Sequence, residues 1–384
     1  MNTKVPTRVL HIVSAMNRGG TETLLMSLYR NIDKKKVQFD FVSHRKEKCD
    51  YDDEIKAMGG KVYHIASLGQ AGPVPYIREL KKIMRSRPYI AVHSHTDYQS
   101  GFPALAAKLS GINKRICHSH SNQWTRKNGF KERLSLVVLQ KVITFSATEL
   151  CACSEEAASF LFGEKKVKHG KVHILKNGIE VERFTQLIDN HTESVRNELG
   201  IPEEAKLIGH VGSLSYIKNH SFILRILKQM LMEGQNIFAV FVGDGSLRKS
   251  IEKEAKELGI SEYVRITGVR EDISRMMKAF DVFVFPSLSE GFGIVTLEAQ
   301  CAGTPCVVSD TIPKSTDIGL GLISYLNLEE DIRNWSKEIK KAFSIKKPDN
   351  QTISQSFLKM GFNIRENIDK WLTLYGIQSS LTRS

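Results

Sequence analysis

Short β-branched runs alternate with amphipathic segments through the first 154 residues. RVLHIVS (8–14), QFDFVS (38–43), KVYHI (61–65), IAVHSH (90–95), KRICHS (114–119) and ELCACS (149–154) have the length and composition of strands. Between them, TETLLMSLYRNI (21–32) and IRELKKIMR (77–85) carry apolar residues at helical spacing. Strands alternating with helices predict βαβ units and a parallel sheet. The pattern lapses at NGIEVERFTQLIDNH (177–191), which predicts a hinge, and restarts after residue 200. There KLIGHVG (206–212), IFAVFVG (237–243), YVRITG (263–268), DVFVFP (281–286) and PCVVS (305–309) read as strands. HSFILRILKQMLMEG (220–234) and LRKSIEKEAKELGI (247–260) read as helices, with Gly259 as C-cap of the second. The tail from about residue 328 reads as helical. The expected class is α/β, with two sandwiches and a helical tail. A length of 384 residues fits two domains on a prior of about 150 residues each.

Composition adds limits to this picture. Hydrophobic residues make up 41% and charged residues 25%, the balance of a globular protein. No run approaches the roughly 18 apolar residues of a membrane span. The N-terminal apolar run is short and lacks a small-residue cleavage site, so it reads as a first strand rather than a signal peptide. None of the six cysteines forms a C-x-x-C pair, and no His/Cys group has zinc spacing. A reducing compartment, the cytoplasm, is expected. Charge is lopsided: residues 1–180 carry 30 Lys and Arg against 16 Asp and Glu, and the remainder carries 25 against 26. The basic half predicts an anionic partner or serves solubility. It lacks aromatic interleaving and a recognition helix, so nucleic acid is not expected.

Four constellations carry chemistry. Gly19-Gly20 lies between the first strand and the first helix, where glycine lets backbone approach a phosphate or sugar, or makes a tight turn. In VGSLSYIKNH (211–220), Lys218 stands where a long helix begins. A cation there opposes the helix dipole unless an anion is bound, which makes Lys218 a phosphate ligand candidate or an exposed lysine. In FPSLSEGFGIVTLEAQ (285–300), Glu290 and Glu298 are eight apart. A helix starting near Phe292 would leave Glu290 on the loop and Glu298 on the second turn, with free N–H groups between. That suits a sugar nucleotide: one carboxylate for sugar hydroxyls, one for ribose hydroxyls, and the diphosphate on the amides. Finally, His93-Ser94-His95 and His118-Ser119-His120 lie at strand ends, where they would bind a sugar or phosphate or be buried and satisfied. No carboxylate or cysteine stands at ligand spacing, so no metal is expected. Asp50-Tyr51-Asp52 formally matches a metal-chelating Asp-x-Asp, but it opens a helix and reads as capping.

Together these motifs resemble glycosyltransferase family four, and within it the bacterial exopolysaccharide and capsule biosynthesis enzymes. The likeness spans nearly the whole chain. It rests on P-S-x-x-E-G-F-G-x-V-x-L-E-A, the early Gly-Gly loop, Gly-x5-Lys and ILKNGIEVERF (174–184), in that order. It implies a GT-B fold, with two Rossmann-like domains whose parallel sheets face across a cleft. Residues 1–180 would form the acceptor domain and 181–360 the nucleotide-sugar domain, with a helix at about 361–378 packing back on the first. By position, Gly19 and Gly20 would approach the donor and Lys218 would bind its diphosphate. Glu290 would sit by the donor sugar as a catalytic residue, and Glu298 would hold the ribose. Gly291 and the backbone of Phe292, Gly293, Ile294 and Val295 would meet sugar and phosphate. Val269 and Arg270 would line the base pocket. His120 aligns best with the family's histidine near the sugar and would be the second catalytic residue, with His118 as rival; His95, His118 and Arg126 fall on the acceptor side. Ser213 stands where the family usually has arginine, which removes a second cation from the leaving diphosphate.

The expected activity is therefore metal-independent transfer from a nucleotide-diphosphate sugar, UDP-sugar by resemblance, with retention of configuration. No cofactor is expected. The acceptor would be a lipid-linked glycan. The basic amphipathic segment KNGFKERLSLVVLQKVI (127–143) would either touch an anionic membrane or pack as a core helix. Alternatives are a sugar-nucleotide epimerase of similar fold and a non-catalytic partner of a transferase.

Overall fold

A computed structural model of the chain describes residues 5–121, 130–186 and 195–378. The chain divides into two compact units. One runs to Gly178 and resumes at Phe362; the other is Ile179–Gly361.

In the first unit, β1 (Thr7–Val13), β2 (Val37–Ser43), β3 (Val62–His64), β4 (Tyr89–Ser94), β5 (Lys114–Ser119), β6 (Glu149–Ala152) and β7 (His173–Ile174) form one parallel sheet. Their order is β3-β2-β1-β4-β5-β6-β7. The second unit repeats the winding. Its strands are β8 (Lys206–Val211), β9 (Ile237–Val242), β10 (Val264–Gly268), β11 (Val282–Phe285), β12 (Cys306–Ser309) and β13 (Ile323–Leu326). They run parallel in the order β10-β9-β8-β11-β12-β13. All eleven strands expected from the sequence are present. The short β7 and the half-buried β13 carry too little apolar signal to be read in advance.

Both faces of the sheets are covered, which is why the strands read as nearly continuous apolar runs. On β1, Val9 and Val13 face a core with Leu24, Leu25 and Leu28 of the helix Gly20–Asn31. Leu10 and Ile12 face the opposite core with Tyr76, Leu80 and Ile83 of the helix Pro73–Arg85. The C-terminal helix Ile364–Leu374 belongs to the first face, where it buries Ile364, Ile368 and Trp371. In the second unit, Ile208, Val282 and Val284 join Phe222, Ile223, Leu227 and the wholly buried Trp335.

Each sheet reverses its winding direction once, between β1 and β4 and between β8 and β11. Loops leaving these neighbouring strands part to opposite faces and open a crevice at the carboxyl ends, where such sheets bind ligands.

Candidate functional site

In the second unit the residues expected to bind the donor come together at this switch point. Lys218 ends the 3₁₀ turn Tyr216–Lys218 that follows β8, and Glu290 lies in the loop after β11. Their side chains meet: Lys218 Nζ is 2.5 Å from Glu290 Oε1, and both side chains are mostly buried. Ser287 Oγ donates to the same carboxylate oxygen at 2.6 Å. The ammonium also lies 4.9 Å from the Phe285 ring centroid. Lys218 is thus not the exposed lysine that was the alternative to a phosphate ligand. It is held by Glu290, because a half-buried cation lowers its energy most by taking a carboxylate partner.

Backbone bonds fasten the two loops to each other. Leu288 N–H donates to Ile217 O at 2.8 Å, and Asn219 Nδ2 donates to Pro286 O at 3.1 Å. Asn219 adopts left-handed φ of 55°, which turns the chain sharply into the helix His220–Met232. The loop Gly212–Leu214 is pressed by Gly243, whose φ is 140°. A Cβ on Gly243 would lie 2.1 Å from Gly212 O, so only glycine fits. Ser287 and Gly243 escaped the sequence reading. The Gly-Asp-Gly turn after β9 was the available sign of the second.

The helix after Glu290 runs Ile294–Cys301, two residues later than expected. Gly293 is its N-cap at φ 78°, a conformation that excludes most other residues. Gly291, Phe292 and Gly293 thus form the approach, and Ile294 and Val295 open the first turn, whose N–H groups have no carbonyl four residues back. Glu298 sits on the second turn. Its neighbours Leu297 and Ala299 are wholly buried, and its own side chain is half-buried. Burial pushes the Glu298 carboxyl up to about 7, and the Arg183 guanidinium pulls weakly the other way. Among the described residues nothing hydrogen-bonds this carboxylate. A half-buried carboxylate without hydrogen bonds is costly unless a ligand supplies hydroxyls or N–H groups.

The remaining donor candidates are placed less decisively. Ser213 is exposed, and its hydroxyl lies 3.1 Å from that of Ser215. Val269 is exposed just beyond Gly268, which has φ 75°. Arg270 is committed to Asp272 at 2.7 Å and Glu198 at 2.5 Å, so it offers backbone rather than charge to a ligand.

In the first unit, Gly19 caps the helix Gly20–Asn31, and both glycines are exposed. A Cβ on Gly19 would lie 2.3 Å from Glu22 Oε2. Burial raises the Glu22 carboxyl to about 7. His95, His118 and His120 gather on one sheet face with His93 of the first His-x-His pair and with His11, which the sequence reading left without a role. Strand alternation explains this. His11 shares parity with Val9 and Val13, and each His-x-His pair points both rings to one side. His11 Nδ1 lies 3.1 Å from His95 Nε2, and His95 Nδ1 lies 2.9 Å from His120 Nε2. His93 joins His118 at 3.1 Å and Tyr375 Oη at 2.8 Å. Four of the rings are buried; His120 alone is partly exposed. Burial holds His11 and His120 down at about 3 and the others well below their usual range, so all five are neutral at pH 7. His118, the rival to His120, is fully buried. Asp97, at left-handed φ of 47°, accepts the His120 backbone N–H at 2.7 Å.

Two triplets, His11-His93-His95 and His95-His118-His120, bring ring nitrogens within 4.8 Å. Each shares His95, whose two nitrogens are both spent on neighbouring rings. Asp52 accepts the Cys49 N–H at 2.9 Å and pairs with His64 at 2.9 Å, while Asp50 accepts the Arg18 N–H at 3.2 Å. Both acids therefore have structural partners. Arg126 lies outside the described residues. So do residues 127–129 of the basic segment; the rest forms the helix Phe130–Ser146, with Val137 and Val138 exposed. A second basic surface runs along the helix Pro73–Arg85. There a groove of about 600 Å³ is lined by Val74, Ile77, Arg78, Lys81, Lys82 and Arg85. All six cysteines are free and buried. Among the described residues no helix is long and apolar enough to cross a membrane.

Two doubly wound parallel units, one carrying a Lys-Glu pair and an unsatisfied glutamate at its switch point, define a GT-B sugar-transferring enzyme. Residues 18–183 match the model of Glycosyltransferase Family 4, and residues 191–356 match that of Glycosyl transferases group 1. The chain belongs to glycosyltransferase family four. It is 40% identical over 373 residues, 97% of both chains, to EpsF of Bacillus subtilis (strain 168), whose own name marks the glycosyltransferase assignment as provisional. It is 26% identical over 77% of both chains to the UDP-Gal:alpha-D-GlcNAc-diphosphoundecaprenol alpha-1,3-galactosyltransferase of Escherichia coli. Its fold matches Anabaena HepE in complex with UDP-glucose at a TM-score of 0.74 and 17% identity, over 95% of this chain and 99% of that one.

Proposed function

We propose that this glycosyltransferase moves a sugar from a UDP-sugar to a lipid-linked exopolysaccharide or capsule glycan, with retention of configuration and without a metal. The observation that carries the reading is Glu298: a half-buried carboxylate that no described residue hydrogen-bonds, one helix turn behind a glycine-capped N-terminus. A ribose diol would satisfy the carboxylate, and the diphosphate would rest on the first-turn amides. Lys218 would exchange Glu290 for the diphosphate, freeing Glu290 to take sugar hydroxyls. The C1–O bond to the diphosphate breaks as the acceptor oxygen bonds C1 on the same face. The acceptor proton passes to a diphosphate oxygen. Lys218 and the helix dipole stabilise the charge that a divalent ion would otherwise take. By the family resemblance, His120 is the first unit's candidate for hydrogen-bonding a sugar.

The names of two relatives support the substrate classes. One E. coli relative uses UDP-galactose and a diphosphoundecaprenol-linked acceptor, and Anabaena HepE binds UDP-glucose. The basic groove on the helix Pro73–Arg85 supports contact with an anionic lipid surface at the cytoplasmic face. The test is incubation with a nucleotide-sugar panel and diphosphoundecaprenol-linked acceptors, with and without EDTA. The reading expects UDP release only with acceptor, unchanged by EDTA, and a product of unchanged anomeric configuration. An epimerised donor formed without acceptor, or complex formation with no turnover, would overturn it.

A further inference from the structure

The first unit holds an uncommon device: three imidazoles hydrogen-bonded in series from core to surface. His11 sits deepest, with its ring centroid 4.4 Å from that of Phe39 and 5.4 Å from that of Phe41. Its Nδ1 meets His95 Nε2, and His95 Nδ1 meets His120 Nε2. A neutral imidazole has one donor nitrogen and one acceptor. One choice of direction therefore fixes the protonation of every ring in the chain.

The buried end decides that direction. His11 Nε2 is sealed from solvent and has no hydrogen-bond partner among the described residues. If the chain ran inward, His120 Nε2–H would donate to His95 and His95 Nε2–H to His11. His11 would then carry its proton on Nε2, as a buried N–H without an acceptor. If it runs outward, His11 Nδ1–H donates to His95 and His95 Nδ1–H donates to His120. His11 Nε2 is then a bare lone pair sealed from solvent. Orphaned buried donors are rarer in proteins than under-used acceptors, so the outward direction is favoured. In that direction His120 Nε2 accepts and the proton resides on Nδ1. His120 Nδ1 makes no hydrogen bond to a described residue and is not sealed from solvent. Asp97 fixes the backbone beneath it through the His120 N–H.

We propose that His11 and His95 are positioning residues that lock His120 as its Nδ1–H tautomer, so that it meets the sugar as a neutral hydrogen-bond donor rather than as a base. The sugar-facing role rests on the function proposed above; the tautomer does not. A metal is a poorer occupant, because His95 would have to break one of its two hydrogen bonds to ligate. The neutral state agrees with the depressed basicity that burial imposes on all three rings.

The test is imidazole nitrogen NMR on the full chain labelled with 15N-histidine, at pH 7. His120 signals are assigned by their loss in His120→Asn. The expected spectrum shows His120 with a protonated Nδ1 and a bare Nε2. An Nε2–H tautomer or an imidazolium would overturn the proposal. His11→Phe removes the terminal donor. It should mix the His120 tautomers and lower kcat roughly tenfold, the scale of one hydrogen bond, with little change in donor KM. His11→Asn, which keeps an N–H at the Nδ1 position, should restore most of that loss. A His11→Phe protein with an unmixed tautomer would also overturn the proposal. If His11→Phe does not fold, the wild-type spectrum still decides. If the tautomer is as stated but His120→Asn transfers sugar at full rate, the chain stands and the role given to His120 falls.

Discussion

The two switch points of this protein occupy the same place in the same winding and have opposite chemistry. Between β8 and β11 the strand ends present a lysine, two glutamates and a helix N-terminus, charged and partly open. Between β1 and β4 they present stacked imidazoles, neutral and mostly buried. The winding supplies only the location. In the second unit, side chains left with exchangeable or missing partners suit a charged ligand that must enter and leave. In the first, neutral groups bonded in series suit holding one ring in one state. On the function proposed above, the charged site would stabilise the leaving group and the neutral one would hold a ring in one orientation.

Removing charge from the second site should have the largest effect. Lys218→Ala should lower kcat by about 10²–10³, the usual scale for loss of one preorganised donor to a leaving group. Glu290→Ala should also act chiefly on turnover. Steady-state kinetics with saturating donor checks both, and a pure KM effect would place these residues in ground-state binding only. Glu298→Ala should weaken UDP binding by roughly ten- to a hundredfold, since hydrogen bonds to a charged group contribute about 1.5–3 kcal/mol. Ser213→Arg should sharpen the contrast in the opposite direction. Restoring a cation beside the exposed loop should raise turnover by roughly tenfold if diphosphate charge limits the wild type. An unchanged rate would mean that Lys218 and the helix amides already suffice.

Two smaller effects separate the units further. Reversing Arg78, Lys82 and Arg85 to glutamate should abolish salt-sensitive binding to anionic vesicles, measured by flotation, while UDP affinity stays the same. Glu298 also makes a pH prediction. Its folded carboxyl titrates near 7, above the ordinary value of 4.5, so the folded chain binds the extra proton between those values. Stability from this group is therefore greatest below about 4.5 and is lost as pH rises towards 7. UDP binding runs the other way, because the ionised carboxylate is the better acceptor for ribose hydroxyls. Denaturation of Glu298→Gln across that window should show a shallower decline than the wild type.

Much of this was legible in the sequence. β-branched runs at regular spacing gave eleven of the thirteen strands, because buried parallel strands must be apolar on both faces. Glu290, Glu298 and Lys218 stood out by their position after strands. What the sequence did not reveal was pairing. That Lys218 rests on Glu290, or that Arg270 is spent on Glu198 and Asp272, follows from loop paths with no periodic signature. The imidazole chain was half visible. Both His-x-His pairs stood out at strand ends, but linking His11 to His95, 84 residues apart, required the strand order. Gly293 was noted as a glycine, whereas its left-handed φ shifted the helix start by two residues.

Calorimetric titration of UDP into the wild type, Lys218→Ala and Glu298→Ala tests the central claim most directly. Tight binding to the wild type and a loss of roughly tenfold or more in each variant is the predicted result. UDP binding that is equally tight in all three would contradict the assignment of the β8–β11 switch point as the donor site.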